Sequence, residues 1–123
     1  MQNSALFRRG VVMPLDQSAE EQLRNDNVSE ATQVEWIEIG SQSLFDALWN
    51  LGLFQDINHR VDSLIDDYEQ EVVESDHVGE IGSAVKAALS KKRLTSELRS
   101  FLASLSALAE RAKVNRRPVF FVL

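Results

Sequence analysis

Apolar residues recur along the chain with two different periods. In "SQSLFDALWNLG", Leu44, Phe45, Leu48, Trp49 and Leu51 return at three- and four-residue steps. Ser41 or Ser43 can cap that run and Gly52 can end it, which predicts a buried helix over 41–52. In "LFQDINHRVDSLIDDYEQEVVE", Ile57, Val61, Leu64, Ile65, Tyr68 and Val72 fall on one side of a helical wheel. With Asp56 as cap, the spacing predicts one long helix over 56–74, with Val73 pointing outward. Val78, Ile81, Val85 and Ala88 predict a helix over 77–90 with Asp76 as cap, and Gly79 and Gly82 either allow close helix approach or fray it. Leu98, Phe101, Leu102, Leu105, Leu108, Ala109 and Ala112 give the clearest stripe and predict a helix over 95–114, with Asn115 just past its end. A shorter polar helix, capped by Asp16, is expected to end near Asn25.

The remaining apolar runs are short and rich in β-branched and aromatic residues. "ALFRRGVVM" over 5–13 reads as a strand interrupted at Gly10. "VEWIEI" over 34–39 reads as a strand in which Glu35, Ile37 and Ile39 share one parity and Val34, Trp36 and Glu38 the other. Trp36 between two acids reads as a half-buried strand residue, and Trp49 as core. The terminal "VFFVL", 119–123, needs a sheet or groove to bury in, and is expected to pair with one of the N-terminal strands. The fold class is therefore α+β and mostly helical: four main helices packed with a small sheet in a single domain over 1–123. An all-α bundle is the competing architecture.

Composition narrows the chemistry. A chain of 123 residues, 44% hydrophobic and 26% charged, suits one globular core. The absence of cysteine removes disulfides, zinc–thiolate sites and thiol nucleophiles. The first residues, "MQNSALFRRGVVMPLDQ", lack the apolar centre of a signal peptide, and no stretch is long and apolar enough to span a bilayer. The expectation is a cytoplasmic protein without membrane contact. A formal charge of −6 disfavours direct binding to nucleic acid. That charge is segregated. Residues 55–85 carry nine acids against Arg60, whereas residues 86–123 carry nine bases against Glu97 and Glu110. Such asymmetry points either to a charged partner or to two segments that face each other across the fold.

The acids concentrate on the expected 56–74 helix. Asp62, Asp66 and Glu69 would line one flank of its apolar stripe, and Asp67, Glu71 and Glu74 the other. The i, i+4, i+7 spacing could contribute oxygens to a hard cation, but one helix supplies only part of such a shell. No second acidic helix, no HExxH and no EF-hand loop accompanies it. No metal or other cofactor is expected. Carboxylate acid/base catalysis would need a pair in different environments within a cleft, and these acids sit on flanks expected to be exposed. No nucleophile elbow, P-loop or dinucleotide fingerprint is present, and His59 and His77 lack partners at meaningful spacing. The chain reads as a non-enzyme. A dense acidic face does suit a basic protein partner: it focuses negative potential and speeds encounter, with Tyr68 or Val73 as candidate apolar anchors.

The segment "LFDALWNLGLFQDINHRVDSLIDDYEQE", in a small acidic chain, resembles in type the immunity proteins of bacterial toxin systems, those of colicins, contact-dependent inhibition and other polymorphic toxins. The resemblance implies a cytoplasmic inhibitor that covers the active or substrate-binding surface of a basic, nuclease-type toxin. It carries no catalytic residues. It makes Asp62, Asp66, Asp67, Glu69, Glu71 and Glu74 the candidate partner-binding residues. The alternative from another class is a structural or adaptor subunit that self-associates, as a homodimer, through acidic and basic helices.

Overall fold

The computed structural model of the protein describes residues 9–63, 65, 70–91 and 94–123. In chain order its elements are β1 (Gly10–Pro14), α1 (Gln17–Arg24), β2 (Val34–Glu38), α2 (Gln42–Leu51), α3 (Leu53–Val61), β3 (Gln70–Val73), α4 (Gly79–Leu89), α5 (Ser96–Asn115) and β4 (Val119–Val122). The fold is α+β and mostly helical. The four strands form one antiparallel sheet in the order β2-β1-β4-β3.

The sheet is apolar on both faces, and the two faces are covered unequally. Val11 and Met13 of β1, Val73 of β3, and Val119 and Phe121 of β4 turn to the larger core, which α2–α5 close. Val12, Phe120 and Val122 turn to the other face, where Leu23 of α1 and Val28 cover them, with Val34, Trp36 and Val72 half-buried at the margins. Alternation along each strand places successive side chains on opposite faces. A strand buried on both faces therefore reads as a continuous apolar run, as "VFFV" does. In the larger core, Phe45 stacks on Phe54 with centroids 5.6 Å apart, and Phe54 meets Phe121 edge-on at 6.3 Å. Trp49 lies at the margin of this aromatic group, half-buried and 6.1 Å from Phe45. Trp36 is half-buried, as its acidic neighbours led us to expect. Its indole lies against Gly10, where a Cβ would come within 2.5 Å of Trp36 Nε1 and 2.4 Å of the Ile37 carbonyl oxygen. Only glycine leaves room for that crossing, so the apparent interruption at Gly10 is a packing requirement.

Several helix ends follow their sequence signals. Asp16 accepts from Ala19 N–H at 2.7 Å, and Ser41 Oγ accepts from Leu44 N–H at 3.0 Å. Gly52 takes the left-handed conformation at φ 87° and links α2 directly to α3, while the Lys91 ammonium donates to the Leu51 carbonyl at that junction. Other signals mislead. Asp56 lies inside the first turn of α3 and pairs with Arg60 at 3.0 Å instead of capping. Val78, not Asp76, precedes α4. Asn115 is still helical, and Arg116 adopts the left-handed conformation.

The main departure is the expected 56–74 helix. It ends at Val61, and the chain returns as β3 at Gln70. Asp62 caps α3 with φ 56°, and the side chain of Asn58 then holds the exit. Asn58 Oδ1 accepts from Ser63 Oγ and from Ile65 N–H, both at 2.7 Å, and its Nδ2 donates to the Ile65 carbonyl at 3.0 Å. Both polar groups of the Ile65 backbone are thereby satisfied outside a helix while its side chain is 2% exposed. Val73, expected to point outward, is 1% exposed and belongs to the larger core. Leu64 and Tyr68, expected on the inward stripe, lie outside the described residues.

Two substitutions probe these features. Asn58→Ala leaves the buried Ile65 N–H and C=O without their side-chain partner and is expected to cost about 2 kcal/mol. This would be read as a lowered denaturation midpoint at unchanged slope. At Gly82 an added Cβ meets nothing within 4 Å. Gly82→Ala is therefore expected to raise stability by up to about 1 kcal/mol, through helix propensity alone.

Candidate functional site

The described carboxylates of the acidic stretch do not share a helix face. Asp62 is exposed at the end of α3; Glu71 is half-buried within β3; Glu74 is exposed immediately after it. The two flanks expected on one helix are therefore corrected: these three carboxylates belong to a helix end, a strand and a turn. Asp66, Asp67 and Glu69 lie outside the described residues. The physical reason is tertiary. The doubly buried β4 needs a neighbour on the side away from β1, and "QEVV" provides it, with Glu71 opposite Phe121 and Val73 opposite Val119. That pairing, together with the Asn58 contacts, outweighs the local helical period.

β3 lies at one edge of the sheet. Charged residues are tolerated at an edge because their ends reach water. Glu71 turns its Oε1 back to accept from Val72 N–H at 3.2 Å. On the α1 side of β3, a pocket of about 230 Å³ is lined by Arg24, Gln70, Glu71, Val72 and Phe120. Phe120 forms its apolar floor, and the Arg24 guanidinium carbon sits 5.8 Å from that ring.

Arg24 is the centre of an ion-pair chain. It grips Glu74 at two points, 2.6 and 3.0 Å, and Glu20 at 3.1 and 3.2 Å. Glu20 in turn accepts from Arg117 at 3.2 Å. Gln70 Nε2 also reaches the Leu23 carbonyl at 3.5 Å. Together these contacts fasten α1 to β3 and to the entry of β4. The hydrogen bonds from Arg24 hold the Glu74 carboxyl below the usual carboxylate range, against the opposing effect of partial burial. The bonds that Arg24 donates to Glu74 and Glu20 raise its guanidinium above its own usual range. A general acid at neutral pH needs the opposite shift from the one Glu74 shows.

Two described bases of the final third pair away from the acidic stretch. Arg111 pairs with Glu35 of β2, and Arg117 with Glu20 of α1. Arg60, the base nearest the acidic stretch in sequence, bridges Asp56 and Glu80 at 3.0 and 3.3 Å. His59 and His77 are exposed, and His77 Nδ1 lies 3.7 Å from Asp76. Among the described residues, no group of three or more His, Asp or Glu side chains is placed to hold a metal ion. No described helix is long and apolar enough to cross a membrane.

Nothing in the sequence signals the Arg24–Glu74 pair, whose members are 50 residues apart. The open edge of β3 was equally hidden, because its four residues carry a helical period. Comparison of the chain with protein-family models, with curated proteins and with solved structures returned no match.

The lowered acidity range of Glu74 makes a signed prediction. Its ion pair stabilises the fold above the unfolded carboxylate value, near pH 4.3, and that contribution is lost as pH falls through the lower folded value. Because both side chains are substantially exposed, the pair is worth only about 0.5 kcal/mol. Thermal melts of wild type and Glu74→Gln are expected to differ above about pH 5 and to converge as the pH falls below the lowered folded value. High salt is expected to shrink the difference.

Proposed function

We propose that the protein is a non-enzymatic inhibitor that presents the acidic stretch from Asp62 to Asp76 to a basic protein. Its partner would be a nuclease-type toxin of the kind that immunity proteins neutralise. The observation that carries this reading is where the charge lies. The chain places acids at the end of α3, on an edge strand and in the turn after it. Arg111 and Arg117 of the basic third are directed to Glu35 and Glu20 instead. A concentrated negative rim accelerates encounter with a positive surface and suppresses wrong partners. Inhibition would follow from occlusion, with carboxylates standing where nucleic-acid phosphates would bind. Within the rim, Glu74 is already gripped by Arg24. Asp62, Asp66, Asp67, Glu69 and Glu71 are the contact residues proposed first, and Glu74 positions β3 against α1.

The test is charge reversal combined with inhibition. Wild-type protein, used as bait in a lysate of its source cells, is expected to retain a basic protein whose nuclease activity falls on stoichiometric addition of the bait. The variant Asp62→Lys/Asp66→Lys/Glu71→Lys, checked for folding by thermal melting, is expected to associate at least about tenfold more slowly. The salt dependence of association should also be flatter. Unchanged association by the folded variant would overturn the reading.

A further inference from the structure

The hydrogen-bond register of the sheet determines which backbone groups of β3 are open. Ile39 N–H donates to the Arg9 carbonyl at 2.8 Å, and Leu15 N–H to the Gln33 carbonyl at 2.9 Å. Both bonds run between β1 and β2 or their immediate extensions, so Arg9, Val11, Met13 and Leu15 direct their main-chain groups to the β2 side. Antiparallel ladders alternate residue by residue. Gly10 and Val12 therefore bond toward β4, opposite Val122 and Phe120. Phe120 and Val122 are used up on β1, which leaves Val119 and Phe121 to bond with Val73 and Glu71. Gln70 and Val72 must then direct their N–H and C=O groups away from the sheet. The bond from Val72 N–H to the Glu71 carboxylate, 3.2 Å, agrees: that donor does not go to β4.

We propose that this outer edge of β3 receives an extended, basic segment of the partner protein as a fifth strand. The proposal rests on the protein-binding reading above and gives it a mode of contact. Three observations converge. Among the described residues, β3 is paired on one side only, with Gln70 and Val72 turned outward. The pocket floored by Phe120 and walled by Arg24 and Val72 lies beside that edge, where an alternate side chain of an added strand would enter. Charge selects the occupant. A second copy pairing β3 with β3 would bring Glu71 and the adjoining Glu74 of one strand against those of the other. Like charges facing each other across strands are destabilising, and a lysine- or arginine-bearing strand is the complement. Strand addition would require the Glu71 carboxylate to move off Val72 N–H, which releases that donor to the added strand.

The test uses a blocked peptide of alternating lysine and valine, its glutamate–valine counterpart, the full chain, and Val72→Pro. Proline at 72 removes an outward donor without removing a bond to β4, so the sheet is expected to persist. The lysine–valine peptide is expected to bind, to slow amide exchange at Gln70 and Val72 in the wild-type protein, and to bind Val72→Pro about tenfold or more weakly. The glutamate–valine peptide is expected not to bind. Binding of the basic peptide without slowed exchange at those amides, or with equal affinity for Val72→Pro, would overturn strand addition while leaving charge-directed protein binding in place. Equal binding of both peptides would overturn the basic occupant, and a wild-type dimer joined through β3 would replace it with a second copy. No binding of either peptide would reduce the acids to protection of an edge. If Val72→Pro does not fold, exchange in the wild-type protein decides alone. Failure of the protein-binding reading itself would show separately, in charge-reversed protein that associates unchanged.

Discussion

The burial of β4 on both faces is the constraint from which the rest follows. Val119, Phe120, Phe121 and Val122 are consecutive, apolar and buried. A helix made of them would present apolar surface around its whole circumference, with too few turns to bury it. In the middle of a sheet, by contrast, alternate residues enter two separate cores, and every main-chain group finds a ladder partner. That solution requires a strand on each side and a cover on each face. β1 and β3 supply the sides, the α2–α5 layer covers Phe121, and α1 covers Phe120. Even the Arg24–Glu74 pair belongs to this arrangement, since it ties the cover of the smaller core to the strand that completes the sheet.

The sequence was legible where local signals and tertiary demands agree. The caps Asp16, Ser41 and Gly52, the long stripe of α5 and the pairing of the C-terminal strand with β1 all follow from residue type and spacing. It was not legible where they conflict. From Ile57 to Val72 the apolar positions satisfy a helical wheel, yet two contacts with no local signature break the period. One is Asn58 reaching Ile65; the other is β3 meeting β4. Asn58 looks like an ordinary polar helix residue until the chain beyond it is known to turn. Likewise, Glu71 and Val73 form a strand alternation too short to be distinguished from a helix fragment. The acidic residues were visible in the sequence, but the edge position of Glu71 was not, because it depends on the strand order.

Placing Glu71 on a sheet edge, not on a helix flank, changes what it can recognise. A charged helix face offers side chains only, and its backbone is fully bonded. An edge strand offers directed donors and acceptors as well, at the spacing of a strand. Here the outward residues, Gln70 and Val72, are themselves uncharged, while Glu71 between them projects on the α2–α5 side and reaches over the edge to Val72 N–H. Charge and main-chain geometry thus act on the same few ångströms of surface.

That combination bears on how an open edge can be kept from pairing with the wrong strand. Exposed donors and acceptors invite any extended segment, including the same segment of another copy. Acids beside them penalise self-pairing and pairing with neutral strands, and the penalty reverses sign for a basic strand. Specificity is a difference between affinities, so one set of carboxylates can both protect the edge and select its occupant. The protective role would need only the contact of Glu71 with Val72 N–H. In the proposed role the same charges also recruit, and the two roles diverge at Val72 N–H: protection requires that Glu71 stay on it, and recruitment requires that Glu71 leave.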